Sequence, residues 1–369
     1  MLDTKKEAGI DRRTNIGVEF TVTNKCNCRC DYCFECSHED ISSKEEEARQ
    51  VELLLNYCRN FDRLKHRYLN VIFWGGEPML NTDFLYKLIN VSKDYDFVTY
   101  LMYSNGTTYE KYKDFVNQDF FKEIFNRFAI QLSYDGEPHN SIKRKTNGEL
   151  IFKTADLLIS RGIDVSFKAT LSLDMLDKLP EIWDSYEKLH SRYGFVYYSP
   201  TIDQTDSSTI SSSFESWKKV LPKIAGKEIG FIKKNGRPLW SWFGSPGKLA
   251  CDPNDTVHIH CDGNLYVCHG CQYQKNPEVF AIGKTSDDFD FDKMLNSGFK
   301  TNMRLLKCVK CPAVVCSVCH VKEISEMENP ENYKELWARS MVNNPDRCRF
   351  FQYFGIVYQA FRTAITGMI

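Results

Sequence analysis

The fifteen cysteines of this 369-residue chain fall into two groups separated by a cysteine-poor body, and that distribution constrains the fold more than any other feature. Five lie between Cys26 and Cys36, nine lie between Cys251 and Cys348, and only Cys58 stands apart. The first residues, Met1 to Ile10, are charged and lack the apolar run of a signal peptide, so a cytoplasmic location is expected. Thiols there are kept reduced, and metal ligation explains the two groups better than disulfides do. With 42% hydrophobic side chains, the chain has material for one large or two ordinary domains without cross-links. The formal net charge of -1 gives no reason to expect nucleic acid or an anionic membrane as partner. In the apolar tail, Phe350, Phe354, Val357, Phe361 and Ile365 recur at helical spacing, and Gln359 and Arg362 interrupt it. This predicts a helix docking one face on the protein, not a membrane span.

Between the cysteine groups, short β-rich runs alternate with helical stretches. The runs are Ile16 to Thr23, Leu69 to Phe73, Phe97 to Tyr103, Phe128 to Ser133, Asp164 to Leu171 and Gly194 to Ser199. Ser43 and Glu46 form a capping box before a helix over Glu47 to Asn60, and Ile151 to Ser160 and Leu179 to His190 read as helices. Alternating β and α implies a parallel sheet, and six repeats predict an α/β fold of the partial (β/α)6 barrel type over 15–225. Residues 1–14 are a tail. The alternation stops beyond 225, where a hairpin over Val257 to Val267 and closely spaced cysteines predict a bridging segment, a small α+β domain and the C-terminal helix over 226–369.

Cys26, Cys30 and Cys33 follow the first strand with spacing C-x3-C-x2-C. Three thiolates on a cubane [4Fe-4S] cluster leave one iron open to a small molecule, as a catalytic zinc keeps an open position. A zinc site or a plain electron-transfer cluster would use the same residue type, and Cys28 and Cys36 allow other ligand choices. The strands themselves narrow the alternatives. The second ends in Trp74-Gly75-Gly76-Glu77-Pro78, the third in Ser104-Asn105-Gly106 and the fourth in Ser133-Tyr134-Asp135-Gly136. Polar, glycine-rich turns therefore recur at one end of the sheet.

Together these motifs resemble the radical S-adenosylmethionine (SAM) superfamily. The resemblance implies that Cys26, Cys30 and Cys33 hold the catalytic cluster and that SAM chelates the open iron. Tyr32 matches the aromatic position that packs on adenine. Gly75, Gly76, Glu77 and Pro78 match the motif whose backbone and Glu contact the SAM amino group. Ser104, Asn105, Ser133 and Asp135 stand where the family places ribose or carboxylate contacts, with Arg144 assisting. The implied chemistry is reductive cleavage of SAM to a 5′-deoxyadenosyl radical that abstracts hydrogen.

The second cysteine group resembles the SPASM domain, a C-terminal extension of such enzymes that usually binds two further [4Fe-4S] clusters, giving three in all. The resemblance implies Cys251, Cys268 and Cys319 as ligands of the nearer cluster, with Cys271 ahead of Cys261 or an open iron as the fourth. Cys308, Cys311, Cys316 and Cys348 then hold the farther one. The central spacing departs from the usual one, with both later gaps one residue shorter, and zinc remains the alternative for the clustered cysteines. Cys58 reads as a buried apolar thiol, and His269 and His320 as bystanders beside ligands. Enzymes of this type mostly modify peptides or proteins, so a peptide or protein substrate and an electron donor such as flavodoxin or ferredoxin are expected. A maturase forming a thioether or carbon–carbon cross-link is the first expectation. Anaerobic sulfatase maturases carry an Asp directly after the cysteine matching Cys268, where this chain has His269. A dehydrogenase or epimerase acting on a sugar or aminocyclitol is the alternative outside peptide chemistry.

Overall fold

The computed structural model describes residues 14–33, 35, 41–194, 201–202, 207–244, 256–266, 268–273, 277–287 and 345–366. Strands and helices alternate as β1 (Thr14–Thr23), α1 (Lys44–Arg59), β2 (His66–Gly75), α2 (Thr82–Ser92), β3 (Val98–Ser104), α3 (Tyr109–Phe115), α4 (Phe121–Ile124) and β4 (Phe128–Ser133). They continue with α5 (Gly148–Ser160), β5 (Asp164–Lys168), β6 (Thr170–Leu171), α6 (Leu179–Tyr193), β7 (Thr201–Ile202), α7 (Ser207–Asn235) and α8 (Ser241–Gly244). The remaining elements are β8 (Thr256–Ile259), β9 (Asn264–Tyr266), β10 (Ala281–Lys284) and α9 (Pro345–Ile365).

β1 to β5 pair in chain order and in parallel, which the right-handed crossovers of a βα repeat require. The run expected as one strand over Asp164 to Leu171 breaks at Ala169, and its last two residues pair with β7 in a separate two-stranded sheet. The sixth run, Gly194 to Ser199, falls at 195–200 outside the described residues except for Gly194, which caps α6. The architecture is a parallel-stranded α/β sheet of the partial-barrel type. One addition was not expected: the β8–β9 hairpin joins the same sheet, β8 running parallel to β1, so that the order is β10-β9-β8-β1-β2-β3-β4-β5.

Alternation along each strand separates two faces. Ile16, Val18, Phe20 and Val22 of β1, with Leu69, Val71 and Phe73 of β2 and Tyr100 and Met102 of β3, belong to the apolar core. The other face of the same strands carries Glu19, Thr21, Asn70, Trp74, Thr99 and Tyr103. This second face is polar and aromatic.

Ser43 caps α1 by accepting from the Glu46 backbone N–H at 3.1 Å. The reciprocal half of the capping box is not made, because the Glu46 carboxylate accepts from Arg49 at 2.9 Å, Gln50 at 3.2 Å and Thr285 at 2.6 Å. It thereby ties the start of α1 to the segment after β10. Helix α7 runs across residue 225, where the alternation of the sequence ends. Against it packs α9, the expected amphipathic C-terminal helix. Trp217 stacks on Phe350 with ring centroids 4.4 Å apart and donates its indole N–H to the Phe350 carbonyl at 3.1 Å. Among the described residues, no helix is long and apolar enough to cross a membrane.

Candidate active site

The chain leaves β1 at Thr23 and enters the cysteine loop, which the end of β2 holds from below. The Gly76 N–H donates to the Thr23 carbonyl and the Glu77 N–H to the Lys25 carbonyl, both at 2.8 Å. The approach is so close that a Cβ at Gly75 would lie 2.3 Å from the Thr23 oxygen and one at Gly76 2.3 Å from the Lys25 oxygen. Gly75 also has φ of 131°, a conformation that disfavours any side chain. The paired glycines are thus required by the contact between the strand end and the cysteine loop.

Glu77 joins two strand ends. Its carboxylate is fully buried and accepts from Ser104 Oγ at 2.9 and 3.0 Å, the Asn105 N–H at 2.8 Å and the Met79 N–H at 3.2 Å. With both oxygens engaged, the side chain lashes the end of β2 to the end of β3. Burial raises its carboxyl to about 7 despite these bonds. Pro78 starts the 3-10 turn Pro78–Leu80 behind it.

Asn105 turns back to the cysteines, its Nδ2 donating to Asn27 Oδ1 at 2.9 Å and reaching the Cys26 sulfur at 3.8 Å. The Cys28 N–H lies 3.4 Å from the same sulfur. The hydrogen bond from Cys28 is the first cause that brings the Cys26 thiol down to about 6, and Asn105 and Arg29 act in the same direction. Burial pushes Cys30 up and Cys33 up to about 12. Cys28 is buried and its thiol is driven up by donating to Cys26. Cys36 lies outside the described residues.

At the end of β4, Asp135 is the second buried carboxylate of the site. It receives Arg144 through Nε at 3.2 Å and a second guanidinium nitrogen at 3.1 Å, pairs with His139 Nδ1 at 3.2 Å, accepts the Thr170 N–H at 2.9 Å, and accepts the Tyr32 hydroxyl. Burial works to raise its carboxyl, but Arg144 and then His139 hold it near 2. The Arg144 guanidinium lies 5.6 Å from the Tyr32 ring centre, and His139 sits 5.7 Å from the same ring. Asp31 donates its N–H to the Lys143 carbonyl at 2.8 Å and pairs with Lys145. The π-helical turn Asn140–Arg144 is therefore docked on the cysteine loop. Ser133, in register with Lys168, is half-buried at the end of β4.

The expected site residues of the barrel thus converge from the ends of β1, β2, β3 and β4. Ser104 and Asp135 also orient neighbours, Ser104 by donating to Glu77 and Asp135 by accepting from Arg144. His139 was not anticipated, having only its four-residue offset from Asp135 as a signal. The donor set fits an iron–sulfur cluster. Three thiols share one loop, and amide N–H groups face the Cys26 sulfur, the kind of hydrogen bond that tunes such centres.

Residues 20–189 match the family model of the Radical SAM superfamily. The chain carries a radical SAM domain. Such a domain implies SAM and a [4Fe-4S] cluster as cofactors. The chain is 26% identical over 199 residues to a cysteine-type anaerobic sulfatase-maturating enzyme of Clostridium novyi, a match covering 49% of this chain and 50% of that protein. The fold resembles native anSMEcpe with bound AdoMet and Cp18Cys peptide, with TM-score 0.64 and 16% identity over 96% of this chain and 99% of that one. It also resembles Streptococcus suis SuiB bound to precursor peptide SuiA, with TM-score 0.54 and 13% identity over 86% and 74% of the two chains.

Of the second cysteine group, Cys268 and Cys271 sit at the 3-10 turn His269–Tyr273, the Gly270 N–H lying 3.4 Å from the Cys268 sulfur. Cys271 and Cys261 are both buried, and Cys348 is on α9. Cys251, Cys308, Cys311, Cys316 and Cys319, with His320, lie outside the described residues. Cys58 is buried, with its thiol pushed up to about 12 by burial alone.

Proposed function

We propose that this radical SAM enzyme is a cytoplasmic maturase of a peptide or protein, forming a thioether or carbon–carbon cross-link in a ribosomally made precursor. One observation carries the reading of the site: three strand ends hold a loop of three cysteines by buried polar contacts, with the Asn105 amide facing the Cys26 sulfur. Cys26, Cys30 and Cys33 would hold the catalytic cluster. When bound there, SAM and the reduced cluster supply a 5′-deoxyadenosyl radical able to take hydrogen from an unactivated C–H bond. The protein's own part is to bind, orient and shield. Tyr32, fixed by Asp135 and Arg144, offers a ring for adenine, and the Gly75 to Pro78 backbone offers polar groups to the amino acid end. Glu77, Ser104 and Asn105 hold that backbone in place, and Ser133 sits on the same rim.

Two auxiliary [4Fe-4S] clusters would occupy a SPASM-type domain within 226–369, one on Cys251, Cys268, Cys271 and Cys319, the other on Cys308, Cys311, Cys316 and Cys348. Residues 15–225 would form the catalytic barrel, fed by a flavodoxin or ferredoxin. The peptide substrate is supported by the likeness to two proteins whose structures hold peptides. A second reading, oxidation of a Cys to formylglycine, is favoured by the match to a cysteine-type sulfatase-maturating enzyme and opposed by His269 after Cys268. Mass spectrometry of candidate peptides treated anaerobically with the reconstituted enzyme separates them. A precursor losing two hydrogens per cross-link supports the first reading, and turnover of a sulfatase-derived cysteine peptide to formylglycine overturns it.

A further inference from the structure

The polar face of β1 carries a cluster that the SAM site does not use. Glu19 stands on that face, buried, and its register partner on β8 is His258. His258 Nδ1 lies 3.6 Å from Glu19 Oε2, and its other nitrogen meets Thr21 Oγ1 at 2.9 Å and Gln272 Oε1 at 3.2 Å. From the turn after Cys268, His269 brings Nδ1 to 3.4 Å from Glu19 Oε1. Burial tends to raise the Glu19 carboxyl, but His269 and His258 hold it well below the usual carboxylate range. One carboxylate thus faces two imidazoles delivered by a segment some 240 residues away in the chain.

His269 does not end at Glu19. Its ring stacks on Trp74 with centroids 4.1 Å apart and planes 21° from parallel. Trp74 immediately precedes Gly75, and its indole N–H donates to Glu35 Oε1 at 2.9 Å. Glu35 is buried two residues beyond Cys33. A continuous path of contacts therefore leads from the turn of Cys268 and Cys271, through His269 and Trp74, to the cysteine loop. Glu19 lies on neither cysteine segment, yet it fixes the ring at the middle of that path.

We propose that Glu19 is a positioning residue that registers the His269–Tyr273 turn, and with it Cys268 and Cys271, on the strand end that supports the N-terminal cysteine loop. Acting through His269 on Trp74, it keeps the Glu35 carboxylate in one place beside the N-terminal cluster. A polar group held near a cluster, and the hydrogen bonds around it, tune its electronic properties. The inference rests on the reading that Cys26, Cys30 and Cys33 hold that cluster.

The test is electron paramagnetic resonance of the full-length protein, reconstituted anaerobically and reduced with dithionite, with and without SAM. The variants are Glu19→Ala, His269→Phe and, as a control on the exposed face of α1, Glu52→Ala. His269→Phe keeps an aromatic ring for Trp74 but removes one of the two imidazoles that face Glu19. The proposal expects the SAM-responsive signal to change shape in Glu19→Ala and in His269→Phe at wild-type iron content, and to be unchanged in Glu52→Ala. If Glu19→Ala fails to fold, His269→Phe decides alone. Spectra of the folded variants superimposable on wild type, or an equal change in Glu52→Ala, would overturn it. A wild-type protein with no SAM-responsive signal would instead remove the cluster assignment on which it rests.

Discussion

The ends of β2 and β4 each bury a carboxylate beside the cysteine loop, and the two titrate in opposite directions. Glu77 is surrounded by neutral donors, two backbone N–H groups and a serine hydroxyl, and its carboxyl is raised to about 7. Asp135 is paired with Arg144 and His139 and is held near 2. Burial acts in the same sense on both, so the difference comes from the partners. Neutral hydrogen bonds place a buried carboxylate without fully stabilising its charge, whereas a guanidinium in contact does both. The β4 end is therefore a fixed ion pair carrying Tyr32, and the β2 end is a clasp of neutral donors around a carboxyl whose protonation lies close to physiological pH.

The contrast is broken most forcefully at Arg144. Arg144→Ala would leave Asp135 buried with no guanidinium beside it, and removal of one member of a buried pair typically costs about 3 to 5 kcal/mol. Urea unfolding of the cluster-free protein at neutral pH checks this. A loss under about 1 kcal/mol would mean that Asp135 does not depend on the guanidinium.

A smaller effect separates the carboxylates by pH. For Glu77 the folded value of about 7 lies above the ordinary 4.5, so the unfolded chain releases its proton first. The stability this group contributes is fully present below pH 4.5 and is lost as pH rises to 7, about 3 kcal/mol in all. For Asp135 the sign reverses: its contribution is present above pH 3.8 and is lost as pH falls toward 2. Glu35 and Glu228, each raised to about 7 by burial, slope in the same direction as Glu77. Glu77→Gln is expected to remove roughly a third of the slope between pH 4.5 and 7 and leave the acid limb intact. A denaturation series across pH reads both limbs, and an unchanged slope would mean that Glu77 is ionised throughout.

Much of this region was legible in the sequence because its signals are local. The cysteine spacing, the paired glycines after β2 and the alternation of β1 to β5 each require neighbours within a few residues. Side-chain roles were less legible. The bonds that Glu77 and Asp135 make to the protein were hidden, because a polar residue at a strand end looks the same whether it faces a cavity or its neighbours. Only the positions of Ser104, Asn105 and Arg144 in space decide between these. The parallel pairing of β8 with β1 was invisible for a similar reason. Glu19 and Thr21 fit the polar half of an ordinary alternating strand, and their partners His258 and His269 lie more than 200 residues away. The break at Ala169 was hidden because Val165, Phe167, Ala169 and Leu171 continue one alternating apolar pattern across it.

The most direct measurement of the central claim is the formation of 5′-deoxyadenosine from SAM by the anaerobically reconstituted, dithionite-reduced protein, compared with its Cys30→Ala variant. The account predicts that wild type produces 5′-deoxyadenosine and that Cys30→Ala loses the activity together with about four iron per chain, the content of one [4Fe-4S] cluster. Undiminished 5′-deoxyadenosine from a Cys30→Ala protein with confirmed iron content would contradict it, because SAM would then be cleaved somewhere other than the loop of Cys26, Cys30 and Cys33.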